Sequence, residues 1–180
     1  YGPQAQSSSQ PAFARLALGF ANVELLASER LTANHRGSLA VYQQQGEYVT
    51  GEGYRYSGGN LLIRTPLVTG EAGSVNQVRA GGTLQVLSAS ATRAADAALK
   101  ADALGAQLSF TAQRIDLDTR VALPSGKLTL DSQGDLRLGD AAQLDLAGRK
   151  VSFNDLTKYS WGGDVTLRSQ HGDIHQRAGS

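Results

Sequence analysis

The sequence contains no cysteine and no methionine, and its charges almost cancel. The lack of cysteine excludes disulfide bonds, zinc sites with thiolate ligands and cysteine nucleophiles. Because a natural reading frame starts with methionine, a chain that has none and begins at Tyr1 is expected to be a piece of a larger protein. Its 17 Lys and Arg face 16 Asp and Glu. There is no basic excess to attract nucleic acid, so no nucleic-acid partner is expected.

Long apolar runs are also missing. No run of 18 apolar residues occurs, so the sequence predicts no membrane-spanning helix, and no signal peptide is recognisable. Leu, Ile, Val and Phe nevertheless make up about 23% of the chain, more than the ~20% below which a strongly charged chain stays disordered. A single domain with a hydrophobic core is therefore expected.

A five-residue pattern recurs along the chain. Its first position is a small residue, its third and fifth positions are apolar, and the second and fourth positions between them are mostly polar or small. Strict alternation of this kind predicts short strands with one buried and one exposed face. The steps between successive matches are 22, 23, 24, 20 and 37 residues. The matches begin at Gly37, Gly59, Gly82, Ala106, Gly126 and Gly163.

This regular step predicts the fold. A parallel β-helix brings like residues back to the same position once per coil, and so requires both a fixed period and a repeated apolar layer. An antiparallel β-sandwich would also give short alternating strands, but it requires no such period. The β-helix is therefore favoured over the sandwich, with seven or eight coils of about 22 residues each.

The predicted organisation is one domain with short ends. Residues 1–12 are expected to be a linker or frayed end, 13–176 the β-helix, and 177–180 a tail. The surplus in the 37-residue step predicts a projecting loop over 147–162. The alanine-rich stretch 88–102 would suit a helix by propensity, but narrow strands and corners are favoured because a helix would displace strands that the coil needs.

Aromatic side chains suggest where a partner could bind. Four tyrosines lie close together in the first third of the chain, and Tyr54 and Tyr56 alternate, so they share one face of a strand. Exposed aromatics stack on sugar rings or anchor protein partners, whereas a tyrosine ladder can simply stabilise neighbouring coils. The candidate binding residues are Tyr42, Tyr54, Tyr56, Tyr159 and Trp161.

Two carboxylates raise the question of catalysis. Asp116 and Asp118 flank an apolar residue and therefore point outward together. A carboxylate pair on a β-helix is compatible with a polysaccharide hydrolase or lyase. Arg114 and Arg120 on either side favour instead an exposed ladder of alternating charge, which keeps a solenoid from sticking laterally. No catalytic residue is predicted.

No cofactor or metal is expected either. His171 and His175 have the spacing of a helical metal site, but they lie in a strand pattern where that spacing separates them by more than about 12 Å. Solvated tail histidines are the preferred interpretation. The glycine-rich segments follow no phosphate-binding motif.

The repeats resemble those of a known class of proteins. Residues 126–138 (GKLTLDSQGDLRL), 142–148 (AQLDLAG) and 162–174 (GGDVTLRSQHGDI) are similar to the repeats of filamentous haemagglutinin-type exoproteins. The resemblance implies a right-handed parallel β-helix. It also implies export from Gram-negative bacteria by two-partner secretion, through a dedicated outer-membrane transporter. Such proteins are associated with adhesion, biofilm formation, virulence and contact-dependent toxin delivery, and their repeats contain no catalytic residues.

The resemblance leads to a functional hypothesis. The chain is expected to be a monomeric fragment of a large exoprotein, secreted or on the bacterial cell surface, that acts as an adhesin stalk and binding surface. Its expected partners are the transporter and a host-cell receptor or glycan. The alternatives are a β-helical polysaccharide hydrolase or lyase, and a purely structural spacer in a protein that delivers toxin on contact.

Overall fold

A computed structural model describes residues 3–4, 12–89, 102–153 and 156–177. These residues form an all-β structure without helices. Accordingly, no helix that could cross a membrane is found among them. The strands are β1 (Pro3–Gln4), β2 (Ala12–Leu18), β3 (Asn22–Leu26), β4 (Leu31–Ala33), β5 (Arg36–Tyr42), β6 (Gln44–Val49), β7 (Gly53–Ser57), β8 (Asn60–Arg64), β9 (Leu67–Gly70), β10 (Val75–Ala80), β11 (Thr83–Leu87), β12 (Gln107–Ala112), β13 (Arg114–Asp118), β14 (Arg120–Ala122), β15 (Lys127–Ser132), β16 (Leu136–Leu138), β17 (Gln143–Asp145), β18 (Lys150–Phe153), β19 (Leu156–Tyr159), β20 (Asp164–Ser169) and β21 (Ile174–Gln176).

Most of these strands are parallel and belong to three sheets. The first sheet has the order β1-β2-β5-β10-β12-β15-β20, the second β21-β16-β13-β11-β8-β3, and the third β17-β14-β9-β4. All their pairs are parallel except β1 with β2. Two antiparallel pairs, β6–β7 and β18–β19, stand outside these sheets.

The chain visits the three sheets in turn, and each passage is called a circuit here. The first circuit consists of β2, β3 and β4, the second of β5, β8 and β9, and the third of β10 and β11. The fourth consists of β12, β13 and β14, the fifth of β15, β16 and β17, and the sixth of β20 and β21. The described strands thus account for six circuits, and the expected seven or eight coils are not confirmed. The residues of the β6–β7 and β18–β19 hairpins lie outside the three sheets and so add no circuit.

Side chains of like type stack along the inside of each sheet. In the first sheet Val78 is in register with Phe110, and Phe110 with Leu130. In the second, Ile115 is in register with Leu84 and with Leu136. Phe110, Leu130, Ile115 and Leu136 are completely buried. The alternating sequence pattern therefore marks inward-facing positions that stack one above another, as predicted for these segments.

Residues that lie one sequence step apart do not always occupy equivalent positions in successive circuits. Gly37 lies in β5 of the first sheet, whereas Gly59 precedes β8 in the second sheet of the same circuit. Uninterrupted circuits do place Leu108 beside Leu128 of the next circuit, one sequence step away. Leu39, however, pairs with Val78, almost two steps further along the chain, because the β6–β7 hairpin is inserted between them. Strands of both sheets carry the same pattern, so the sequence alone could not separate them.

Among residues 12–89 and 102–153, the third circuit contributes no strand to the third sheet. β9 pairs directly with β14, where Val68 is in register with Val121. After Leu87, the Ser88 amide donates to the Asp118 oxygen at 3.0 Å, and the Leu104 oxygen accepts a bond from the Gly73 amide at 3.0 Å. Most of the alanine-rich stretch predicted as strands and corners, residues 90–101, falls outside the described residues.

The expected linker and the expected loop both contain short strands. Pro3 and Gln4, within the expected linker, pair antiparallel with β2. Residues 147–162, expected to form a projecting loop, contain the β18–β19 hairpin, whose strands pair with each other. The hairpin lies between β17 of the third sheet and β20 of the first sheet.

Removing an inward side chain from the middle of the stack should be costly. We expect Leu130→Ala to lower the free energy of unfolding by about 2–5 kcal/mol, because Leu130 is completely buried and its neighbours cannot fill the space. Leu26→Ala is the matched control, since Leu26 is 73% exposed, and should change stability by less than about 0.5 kcal/mol. Urea unfolding followed by circular dichroism measures both. Equal effects for the two variants would contradict the stacked core.

Candidate functional site

The tyrosines of the first third of the chain form two ring contacts beside the β6–β7 hairpin. Tyr42, the last residue of β5, stacks on Tyr56 of β7 with centroids 4.9 Å apart and planes 20° from parallel. Tyr48 of β6 meets Tyr54 of β7 edge to face at 5.2 Å. Because Tyr54 and Tyr56 alternate along β7, they lie on the same face of that strand. We call these four residues the tyrosine row.

The two halves of the tyrosine row differ in exposure. Tyr48 and Tyr54 are 62% and 51% exposed, while Tyr42 and Tyr56 are half-buried. The inner pair thus packs the hairpin against β5, and the outer pair presents aromatic surface to solvent. The sequence correctly predicted that Tyr54 and Tyr56 share a face. It did not single out Tyr48, whose pairing with Tyr54 depends on the register of the hairpin.

Close backbone contacts hold the base of this hairpin. The Gln43 amide lies 3.1 Å from the Ser57 oxygen and 3.2 Å from the Gly58 oxygen. Gly59 has a positive φ of 89°, and a Cβ there would come within 2.9 Å of the backbone of Tyr42 and Gln43. Only glycine tolerates both the conformation and the close approach. The return of the chain to the second sheet therefore fixes the tyrosine row relative to β5.

The second group of candidate residues follows the β18–β19 hairpin. Tyr159 is 75% exposed and Trp161 is 89% exposed. The backbone of Trp161 is held although its indole is free, because Ser125 Oγ donates to the Trp161 oxygen at 2.6 Å. Ser125 Oγ also lies 2.8 Å from Ser160 Oγ. Ser160 accepts a hydrogen bond from the Arg149 amide at 2.7 Å, which closes the base of the hairpin.

A carboxylate organises the same hairpin base. Asp145 accepts a hydrogen bond from Arg149 Nη2 at 2.6 Å, and Arg120 Nη2 lies 3.6 Å away. The Ala147 amide donates to the other carboxylate oxygen at 3.3 Å. The bond from Arg149 is the main cause of a lowered pKa of Asp145; partial burial opposes it, and the charges of Arg149 and Arg120 and the Ala147 amide add to it.

This network should make stability depend on pH. The pKa of Asp145 is lower in the folded state than its ordinary 3.8, so its stabilising effect is complete above that pH and disappears as the pH falls through the lower folded-state value. We expect Asp145→Asn to reduce the free energy of unfolding at pH 7 by about 0.5–1.5 kcal/mol. The difference from the parent should shrink towards pH 2, as urea unfolding at several pH values would measure.

A control separates this effect from general acid sensitivity. Asp164→Asn removes a carboxylate that is 75% exposed in its ion pair with Lys127, so it should change stability little at any pH. If both variants lose the same stability at pH 7, the Asp145 network has no special role.

The structure keeps the two groups of candidate binding residues apart. The tyrosine row belongs to the second circuit and follows the C-terminal end of β5. Trp161 precedes the N-terminal end of β20 in the sixth circuit. Three strands of the first sheet, β10, β12 and β15, lie between β5 and β20, a separation of roughly 19 Å. The two groups therefore form separate surfaces, one near the C-terminal ends and the other near the N-terminal ends of the strands of the first sheet.

Asp116 and Asp118 line a groove of about 310 Å³ on the outer face of the second sheet. Asp116 Oδ2 accepts a hydrogen bond from Gln85 at 3.3 Å. Asp116 Oδ1 is buried without a hydrogen-bond partner among the described residues. Asp118 Oδ1 accepts from the Ala141 amide at 2.7 Å. The flanking arginines pair elsewhere, Arg114 with Asp135 and Arg120 with Asp145.

The histidines lie in the last circuit. His175 belongs to β21 and is in register with Arg137 of β16, and the amide of His171 bonds the Gln133 oxygen at 2.8 Å. Both side chains are exposed. Among the described residues, no group of three or more metal-ligating side chains comes together.

No model of a known protein family, no curated protein and no solved structure matches the chain significantly.

Proposed function

We propose that the chain is a segment of a right-handed parallel β-helix with about 22 residues in an uninterrupted coil. Parallel strands that recur on three sheets in a fixed cycle support this architecture. Partners such as Leu108 and Leu128, or Val121 and Leu144, lie close to one such period apart in the sequence. Crossover connections between parallel strands are right-handed in about 98% of cases, which supports the handedness.

We also propose that this β-helix is a non-catalytic stalk with a binding surface, part of a large exoprotein that is secreted or displayed on the bacterial surface. The observation that carries the proposal is the outer half of the tyrosine row. Tyr48 and Tyr54 are exposed and yet pack against each other. Stacking of Tyr42 on Tyr56 holds the hairpin that carries them against β5. A fixed aromatic surface loses little conformational entropy when a partner binds.

The proposed partners follow from this surface. Exposed tyrosines offer an apolar ring and a hydroxyl, a combination suited to sugar rings and to protein interfaces. A host-cell glycan or receptor is therefore the proposed ligand. The resemblance of the repeats to those of filamentous haemagglutinin-type exoproteins adds the outer-membrane transporter of a two-partner secretion pair as the proposed export partner. The remaining candidates, Tyr159 and Trp161, would form a second and separate contact surface.

The binding role predicts that the outer tyrosines matter and that other exposed apolar residues do not. We expect the double variant Tyr48→Ala, Tyr54→Ala to bind cells or an arrayed glycan at least about tenfold more weakly. Aromatic side chains that a partner covers contribute most of the binding energy of an interface. Leu26→Ala, which removes another exposed apolar side chain, is the control and should bind as the parent does. Flow cytometry and a glycan array provide the measurements.

Two results would count against this role. Parent protein that binds neither cells nor any arrayed glycan would favour a purely structural spacer. Binding that survives in the double tyrosine variant but is lost in Trp161→Ala would transfer the role to the second surface.

A second candidate function is that of a polysaccharide hydrolase or lyase. The unpartnered Oδ1 of Asp116 beside Asp118 in an outward groove favours it, since acid–base catalysis uses positioned carboxylates that can exchange a proton with a substrate. If this function is present, acidic polysaccharides should be cleaved by the parent and at least about 100-fold more slowly by Asp116→Asn and by Asp118→Asn. Asp140→Asn, at the rim of the same groove, is the control. Reducing-end assays that show such a pattern would overturn the non-catalytic proposal.

A further inference from the structure

A cavity of about 640 Å³ extends into the interior of the stack from its first circuits. Apolar side chains from all three sheets line it: Leu39 from the first, Leu25 from the second and Leu31 from the third. Phe110 of the fourth circuit lines it as well. Three strand spacings separate β2 from β12, so the cavity reaches roughly 14 Å along the stack.

The exposure of the inward residues shows the extent of this cavity. Arg15, Leu39, Val78 and Phe110 are in register and belong to one inward row of the first sheet. Leu39 and Val78 have a strand on either side, yet they are only half-buried, whereas Phe110 is completely buried. The interior is therefore open past the second and third circuits and closed at the fourth.

The neighbouring inward row explains the open space. In circuits four and five this row holds Leu108 and Leu128, but in circuits two and three it holds Gly37 and Asn76. Gly37 has no side chain, and the Asn76 amide group turns to the corner, where it donates to the Asn34 oxygen at 3.2 Å. A glycine and a polar residue thus occupy positions that leucines fill elsewhere.

The charge at this cavity has one sign. Arg15 takes an inward position that Leu39 and Val78 take in the next two circuits, and it makes no ion pair with any residue that the structure describes. No described lining residue is acidic. A largely apolar interior with a guanidinium group at its open side is complementary to an amphipathic anion.

We propose that this cavity binds a free single-chain fatty acid, with the alkyl chain inside the stack and the carboxylate at Arg15. The volume is within the range of about 300–1,000 Å³ that small-molecule sites have. The alkyl chain packs on Leu25, Leu31, Leu39 and Val78 and removes their exposed apolar surface from water. This site shares no residue with the tyrosine row, so fatty-acid binding and the proposed adhesive function can be tested separately.

Calorimetric titration with dodecanoate and with dodecanol, which has the same chain but no charge, tests the proposal. The parent should bind both and prefer the carboxylate. Arg15→Gln should weaken dodecanoate about tenfold and leave dodecanol unchanged, because only the carboxylate makes a charge-assisted hydrogen bond. Arg79→Gln is the matched control, since Arg79 is exposed on the outer face of the same sheet, and should bind as the parent does.

A second experiment fills the cavity with a larger side chain. Val78→Phe should weaken both ligands at least about tenfold while it keeps the parent's melting temperature within a few degrees. Leu39→Phe serves if Val78→Phe does not fold. The proposal is overturned if the parent binds neither ligand, if the filled variants bind as well as the parent, or if Arg15→Gln weakens both ligands equally. Cosedimentation with phosphatidylglycerol vesicles without binding of free dodecanoate would also overturn it, in favour of a membrane surface.

Discussion

Register between parallel strands is the constraint on which the rest of the structure depends. Each strand inside the three sheets bonds a strand above and a strand below, so every inward side chain must match two neighbours in size and polarity. From the second to the fifth circuit, the row from Leu39 to Leu130 satisfies this requirement with apolar side chains only. Where Gly37 and Asn76 occupy such positions, the interior opens. The outer faces and corners escape this constraint, and both hairpins begin at corners.

The constraint also explains which features the sequence predicts. Alternation in segments such as 106–110 and 126–130 identified true strands, because burial of one face is encoded locally. It did not distinguish the first sheet from the second, since Gly37 and Gly59 start the same pattern on different sheets. The inward position of Arg15 could not be recognised either, because only its pairing with Leu39 reveals it.

The candidate surfaces show the same division between local and distant information. The shared face of Tyr54 and Tyr56 follows from alternation alone. The stacking of Tyr56 on Tyr42 joins residues across a hairpin, and the bond from Ser125 to Trp161 joins residues that are far apart in the sequence. The role of Asp145 likewise depends on a turn that places Arg149 against it. Such contacts are set by tertiary geometry, which residue spacing does not encode.

The direct pairing of β9 with β14 has a consequence for the order in which the chain assembles. Val68 and Val121 are partners although the whole third circuit lies between them in the sequence, so β9 gains its upper neighbour only after the fourth circuit has formed. Addition of one circuit after another, the simplest route for a stacked repeat, is interrupted at this point. Because closing this long loop costs chain entropy, we expect the second to fourth circuits to form together and more slowly than the circuits that follow. The stack would thus grow from a nucleus of three circuits, with single additions beyond it.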